Sequence, residues 1–238
     1  MINDAGSLMD EQKAEKRGRL NEAGTFAYDE YLDYGELEEW LSTTAEQYSD
    51  HTELINLATT AEGRTLWGLH MGDKDHTGVK KKVFMECGVH AREWVAPATC
   101  RYFVHSVLAA AKGESVASNL PYSDEDLAAL LDFNWYIIVS GNPDGYEYSH
   151  TNDRMWRKNR ADIGHPLCFG TDLNRNFPIG FRTSGGATNG CSATYAGAES
   201  LDQIETAAWD TWFKQIRGTT IRQCYNVTML QCYNVTML

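Results

Sequence analysis

No run of about 18 apolar residues occurs in the 238-residue sequence, so nothing in it reads as a membrane-spanning helix. Positive charge is scarce: 21 Lys and Arg stand against 33 Asp and Glu, a formal net charge of −12. That balance argues against nucleic acid or an anionic membrane as a partner. The opening Met1-Ile2-Asn3-Asp4 leads into no apolar h-region, so no signal peptide is read there. Histidine is absent beyond His165, and Cys87 and Cys100 are not spaced as a zinc knuckle. The composition itself, 42% hydrophobic and 23% charged, is that of a soluble globular protein with one α/β domain.

Local patterning divides the chain. Residues 1–22 are polar and charged and end in the basic cluster Lys16-Arg17-Gly18-Arg19, which reads as a solvated extension open to a trypsin-like protease. Leu37, Trp40, Leu41 and Ala45 at helical spacing predict a helix over Gly35 to Tyr48. Arg64 to Met71 alternates as a strand, with Leu66, Gly68 and His70 on one side. Val83 to Cys87 and Phe133 to Val139 read as buried strands. Lys74 to Gly78 and Asn142-Pro143-Asp144-Gly145 read as turns, because Pro fixes φ and Gly accepts a positive one. Helices are predicted over Ala96 to Lys112, over Leu127 to Leu131 behind a capping box at Ser123, and over Ser200 to Ile216, with Leu201, Ile204, Ala208 and Trp212 inward. Strands alternating with helices predict an α/β sheet covered on both faces.

The chemistry gathers at Gly88-Val89-His90-Ala91-Arg92-Glu93-Trp94, between a strand and the helix after it. In open α/β sheets ligands bind at the carboxyl ends of strands. His90 and Glu93, three residues apart, can deliver an imidazole and a carboxylate to one zinc ion; the same spacing also serves an ordinary salt bridge. Cationic groups come later in Met155-Trp156-Arg157-Lys158-Asn159-Arg160 and Thr171-Asp172-Leu173-Asn174-Arg175-Asn176-Phe177. The planar fork of an arginine suits recognition of a free carboxylate and stabilisation of an oxyanion.

Taken in order, these strings resemble the motifs of the carboxypeptidase A/B family of zinc metallocarboxypeptidases, from about Thr25 to Arg222. The resemblance implies a mixed, mostly parallel sheet with helices on both faces, and zinc as cofactor. It implies His90 and Glu93 as metal ligands, Arg157 polarising the scissile carbonyl and holding the oxyanion, Asn174 and Arg175 clamping the C-terminal carboxylate, and Arg92 contacting the peptide upstream. Lys158, Asn159 and Arg160 are left as surface. Cys168 and Cys191 resemble the family's disulfide; closing a loop of this size contributes roughly 3 kcal/mol and implies an oxidising, extracellular route. Cys87 and Cys100 are expected as buried free thiols. Peptide or protein C-termini are the implied partners, and a monomer is expected.

The resemblance further casts residues 1–22 as the tail of an inhibitory propeptide and 23–222 as the N-terminal part of the catalytic domain. Residues 223–238 then form a non-family tail, Gln-Cys-Tyr-Asn-Val-Thr-Met-Leu written twice, each copy with an Asn-Val-Thr sequon at Asn226 or Asn234. On this reading the domain is incomplete at its C-terminus. The second zinc histidine and the general-base glutamate are missing, His105, His150 and His165 do not replace that ligand, and hydrolysis by this chain is not expected. A binder of peptide C-termini that does not cut is the alternative.

Overall fold

The computed structural model describes residues 28, 30–74, 80–114 and 123–216, with the backbone alone of 221–225 and 231–234. The segment 1–22, most of the Lys74–Gly78 turn and the side chains of the duplicated tail lie outside the described residues.

Helix α1 (Tyr34–Gln47) starts where Asp33 and Glu36 form a reciprocal capping box, and it buries Tyr34, Leu37, Trp40, Leu41 and Thr44 at three- and four-residue spacing. Strands β1 (Thr52–Thr59) and β2 (Thr65–Met71) form an antiparallel hairpin. Next in the chain are β3 (Lys82–Glu86), α2 (Val95–Ala111), α3 (Asp124–Ala128), β4 (Asn134–Ile138), α4 (Pro143–Thr151) and α5 (Ile204–Ile216). Two further strands, β5 (Ile221–Tyr225) and β6 (Gln231–Asn234), complete a sheet ordered β1-β2-β4-β3-β5-β6.

The sheet is mixed, as expected, but its parallel part is confined to the centre. β4 with β3 and β3 with β5 run parallel, while the other three pairings described are antiparallel, so "mostly parallel" needs correcting for these strands. The cause is local: β1–β2 and β5–β6 are each paired with their neighbour in sequence, which the antiparallel arrangement permits over short connections.

The period-two geometry of the strands sorts their side chains between two cores. Leu69, Met71, Met85, Cys87, Ile137 and Val139 face α1 and α2. Leu66, Phe84, Tyr136 and Ile138 face Trp209, Trp212 and Ile216 of α5. A Cβ at Gly68 would lie 2.7 Å from Trp212 Cη2, so glycine here is what lets α5 lie close on β2.

Several expectations give way. β1 is not legible in the sequence, because its residues are mostly half-buried or exposed and carry a weak pattern. Asn142-Pro143-Asp144-Gly145 opens α4 rather than merely closing β4: Asn142 Oδ1 accepts from Gly145 N, and Pro143 takes the first helical position, where no N–H is needed. The last helix starts at Ile204, not Ser200, with Ile204 43% exposed and Glu205 buried in its place. No described helix is long and apolar enough to cross a membrane.

Candidate functional site

Beyond the carboxyl end of β3 the chain bends at Gly88, whose φ of +78° is open to glycine and strained for other residues. Backbone and amide bonds fix the segment around this bend: Gly141 N donates to Cys87 O at 2.7 Å, Ala91 N to Arg157 O at 3.1 Å, and Asn142 Nδ2 to Val89 O at 3.2 Å. The Trp94 ring stacks on His150 at 3.8 Å, holds the Arg154 guanidinium 3.7 Å from its centroid, and donates to Ser149 Oγ. Arg154 Nη1 in turn donates to Arg92 O at 2.8 Å. The motif is thus clamped from α4 and the loop behind it. His150 is a buried member of α4 and part of that clamp.

Four charged side chains then connect in a line. His90 Nδ1 lies 3.0 Å from Glu93 Oε1, and His90 Nε2 lies 3.4 Å from Asp172 Oδ1, a charge contact off the line of a hydrogen bond. Arg157 donates through Nε and Nη2 to Asp172 Oδ2 at 3.1 and 2.9 Å. Burial alone would lower the pKa of His90, but the Asp172 and Glu93 carboxylates outweigh it and raise it. Glu93 is lowered, chiefly by its bond to His90. Asp172 is buried, which acts to raise it, yet His90 and Arg157 bring it below the ordinary carboxylate value. Both carboxylates of the line are thus held towards their charged form.

The donor set fits a metal ion. His90 Nδ1 faces a carboxylate oxygen 3.0 Å away and Nε2 faces Asp172, so a neutral ring with its proton on Nε2 would offer Nδ1 and Glu93 to one ion. The same pair makes a hydrogen bond when Nδ1 is protonated and supplies a nitrogen and an oxygen of the types zinc binds when it is not. Asp172 occupies the position of a carboxylate that orients a ligating histidine through its other nitrogen. Sequence reading missed Asp172. The available signal was chemical: a half-buried Arg157 needs a counter-charge, and an acid stands beside the Asn-Arg pair.

Asp172 also starts the short turn Leu173–Arg175, accepting from Asn174 N at 3.1 Å. Arg175 Nη1 donates to Asn174 O, while its Nε is buried without a partner among the described residues. Arg92 is half-buried beside Glu93 and helps lower it. Lys158 and Asn159, expected on the surface, are buried at 6% and 1% exposure: Lys158 Nζ donates to Gly190 O, and Asn159 ties Thr171 N to Gln203 and Glu205. Cys168 and Cys191 are joined in a disulfide, and Cys87 and Cys100 are buried and free. Among the described residues, no third His, Cys, Asp or Glu completes a three-ligand set with His90 and Glu93.

The zinc carboxypeptidase domain matches residues 37–234 of the chain. The chain belongs to the zinc carboxypeptidase family. It is 37% identical over 209 residues to mast cell carboxypeptidase A of Rattus norvegicus, covering 87% of this chain and 47% of that protein. Zinc carboxypeptidase A 1 of Anopheles gambiae is 32% identical over 208 residues, covering 86% of this chain and 44% of that protein. The crystal structure of thrombin activatable fibrinolysis inhibitor superposes with a TM-score of 0.78 at 29% identity, covering 94% of this chain and 54% of that one. The chain thus spans about half the length of the curated relatives it matches. Within the carboxypeptidase fold, the His90–Glu93 pair stands at the end of a central parallel strand, where α/β folds place their ligands.

Proposed function

We propose that this chain carries one half of a metallocarboxypeptidase site: a two-ligand zinc corner, His90 and Glu93, beside a grip for the C-terminal carboxylate of a peptide. The observation that carries this reading is the continuous line Glu93–His90–Asp172–Arg157, which joins the metal corner to the arginine-bearing segment through one buried carboxylate. Zinc, when bound, supplies Lewis-acid polarisation and an activated water.

The protein's own residues take the remaining roles. Asp172 holds His90 in the tautomer that leaves Nδ1 for the ion. Arg157 commits Nε and Nη2 to Asp172, and its remaining amino group would serve a developing carbonyl charge. Arg175, with a buried Nε that has no partner among the described residues, and Asn174 beside it receive the terminal carboxylate. Arg92 reads the peptide upstream. The Cys168–Cys191 disulfide favours an oxidising, extracellular setting.

Binding of peptide C-termini without cleavage is the second reading. It is favoured by the absence, among the described residues, of a third ligand near His90 and Glu93. One experiment separates the readings: titrate the zinc-loaded chain with a peptide bearing a free C-terminus and with its C-terminal amide, and assay release of the terminal residue. Binding of the free acid alone, lost in Arg175→Ala, supports the carboxylate grip. Release that disappears in His90→Ala supports hydrolysis, and equal binding of acid and amide contradicts both readings.

A further inference from the structure

Of the asparagines in the sequence, Asn189 alone is followed by glycine. It is exposed, two residues before Cys191, in the loop that the Cys168–Cys191 disulfide closes. Two hydrogen bonds set its geometry. Cys191 N donates to the side-chain Oδ1 at 3.0 Å, and Ser192 N donates to the main-chain O at 3.0 Å. The ring closed by the first bond contains the Gly190 nitrogen, so the side-chain amide folds back along the Asn189–Gly190 peptide bond. Gly190 O accepts from Lys158 Nζ at 2.7 Å, which ties the turn to a buried side chain.

Each of the first two bonds bears on one partner of a cyclisation. The donor on Oδ1 polarises the side-chain carbonyl and would stabilise the oxyanion formed when a nucleophile attacks Cγ. The donor on Asn189 O draws electron density from the peptide group and makes the Gly190 N–H a better acid. Gly190 has no Cβ to crowd the ring that would form. A turn kept only for its shape would be served equally by Asp, which accepts the same bond at Oδ1. The amide adds a leaving group.

We propose that Asn189 is a self-modification site that deamidates through a cyclic imide formed with Gly190. The Gly190 nitrogen gives its proton to solvent and attacks Cγ, forming an N–C bond. The Cγ–Nδ2 bond breaks, and the nitrogen leaves as ammonia after taking a proton back from solvent. Water then opens the imide, its hydroxyl going to one of the two carbonyl carbons and its proton to the Gly190 nitrogen. Opening at Cγ leaves Asp; opening at the main-chain carbon leaves isoaspartate, with the chain routed through Cβ. Water is the sole co-reactant, and nothing is oxidised or reduced. Either product adds one negative charge to the loop. Isoaspartate also inserts a methylene before Gly190 and shifts its carbonyl relative to Lys158 Nζ. The modification does not depend on the peptidase reading.

The test incubates the full chain at neutral pH with its disulfide intact and follows each asparagine by peptide mass spectrometry, with Asp and isoaspartate separated chromatographically. Asn189 is expected to convert ahead of every other asparagine. Its conversion should run about tenfold faster in the folded chain than in the same chain unfolded in urea, where neither donor is held in place. Gly190→Ala, whose Cβ would meet the end of the Ile163 side chain at 2.5 Å, should slow conversion by on the order of tenfold. Asn189→Gln, which enlarges the ring by one atom and leaves Ile163 untouched, should abolish the product at that position. Conversion no faster in the folded chain than in the unfolded one would overturn the proposal. So would conversion of Gly190→Ala or Asn189→Gln at the wild-type rate.

Discussion

Two regions of the molecule bury carboxyl groups, and they do so in opposite ways. Along Glu93–His90–Asp172–Arg157 each acid meets a cationic partner, and both acids fall below their ordinary pKa. At the start of α5, Glu205 is buried at 1% exposure against the amide of Asn159, with no cation bonded to it among the described residues, and burial pushes it up to about 7. Pairing preserves charge along the line; burial without a cation favours the neutral acid at Glu205, against the opposing pull of the Asn159 amide. The two regions touch through Asn159, which holds Thr171, the residue before Asp172. The neutral network thus supports the charged one.

The largest effect expected from disturbing this contrast is at Asp172. Asp172→Asn removes the counter-charge of both His90 and Arg157 and should cost about 3–5 kcal/mol in denaturant unfolding, the range for breaking a buried pair. A loss under about 1 kcal/mol would mean the line is not held as a unit.

Glu205 sharpens the comparison through pH. Its folded pKa of about 7 lies above the ordinary 4.5, so between these values the native state holds a proton that the unfolded chain has released. Stability contributed by this group is full below about pH 4.5 and is lost as pH climbs towards 7. Glu86, pushed up to about 8 by burial, adds a loss of the same sign. Glu205→Gln should therefore change little at pH 5 and stabilise by on the order of 2–3 kcal/mol at pH 8, read from melts at the two pH values. No gain at pH 8 would show that Glu205 is ionised at no cost. The paired acids carry the opposite sign: the stability from Asp172 is present above its unfolded value of 3.8 and is lost as pH falls below it.

The packing beneath the site gives a third, intermediate effect. Gly68→Ala sets a methyl against Trp212 at 2.7 Å and should cost about 1–3 kcal/mol by overpacking. The smallest effect is at the surface, where Lys214 pairs with Asp210 one turn away while 61% exposed. Lys214→Ala should shift stability by less than about 0.5 kcal/mol, and a larger change would blur the distinction between buried and exposed pairs.

Much of this arrangement can be read in the sequence where the signal is local. α1, α2 and the strands around Phe84 and Ile137 derive from apolar spacing, and the His90–Glu93 corner from its place after β3. The disulfide between Cys168 and Cys191 is implied by motif likeness and is present. The features that escape depend on contacts distant in sequence. Asp172 is 82 residues from His90, and beyond its place beside the Asn-Arg pair its own neighbourhood does not mark it as a counter-ion to both His90 and Arg157. Lys158 and Asn159 sit in a basic, polar stretch that reads as solvated, yet Gly190 and Glu205 cover them. Asn142-Pro143-Asp144-Gly145 is ambiguous in principle, since the same residues that make a turn also cap a helix.

The central claim is that His90 and Glu93 form a metal corner held by Asp172. Zinc titration of the full chain by calorimetry, with His90→Ala, Glu93→Gln and Asp172→Asn beside it, tests this most directly. The account predicts zinc uptake that is lost in the first two variants and weakened about 10- to 100-fold in the third. Uptake unchanged by His90→Ala and Glu93→Gln would contradict it.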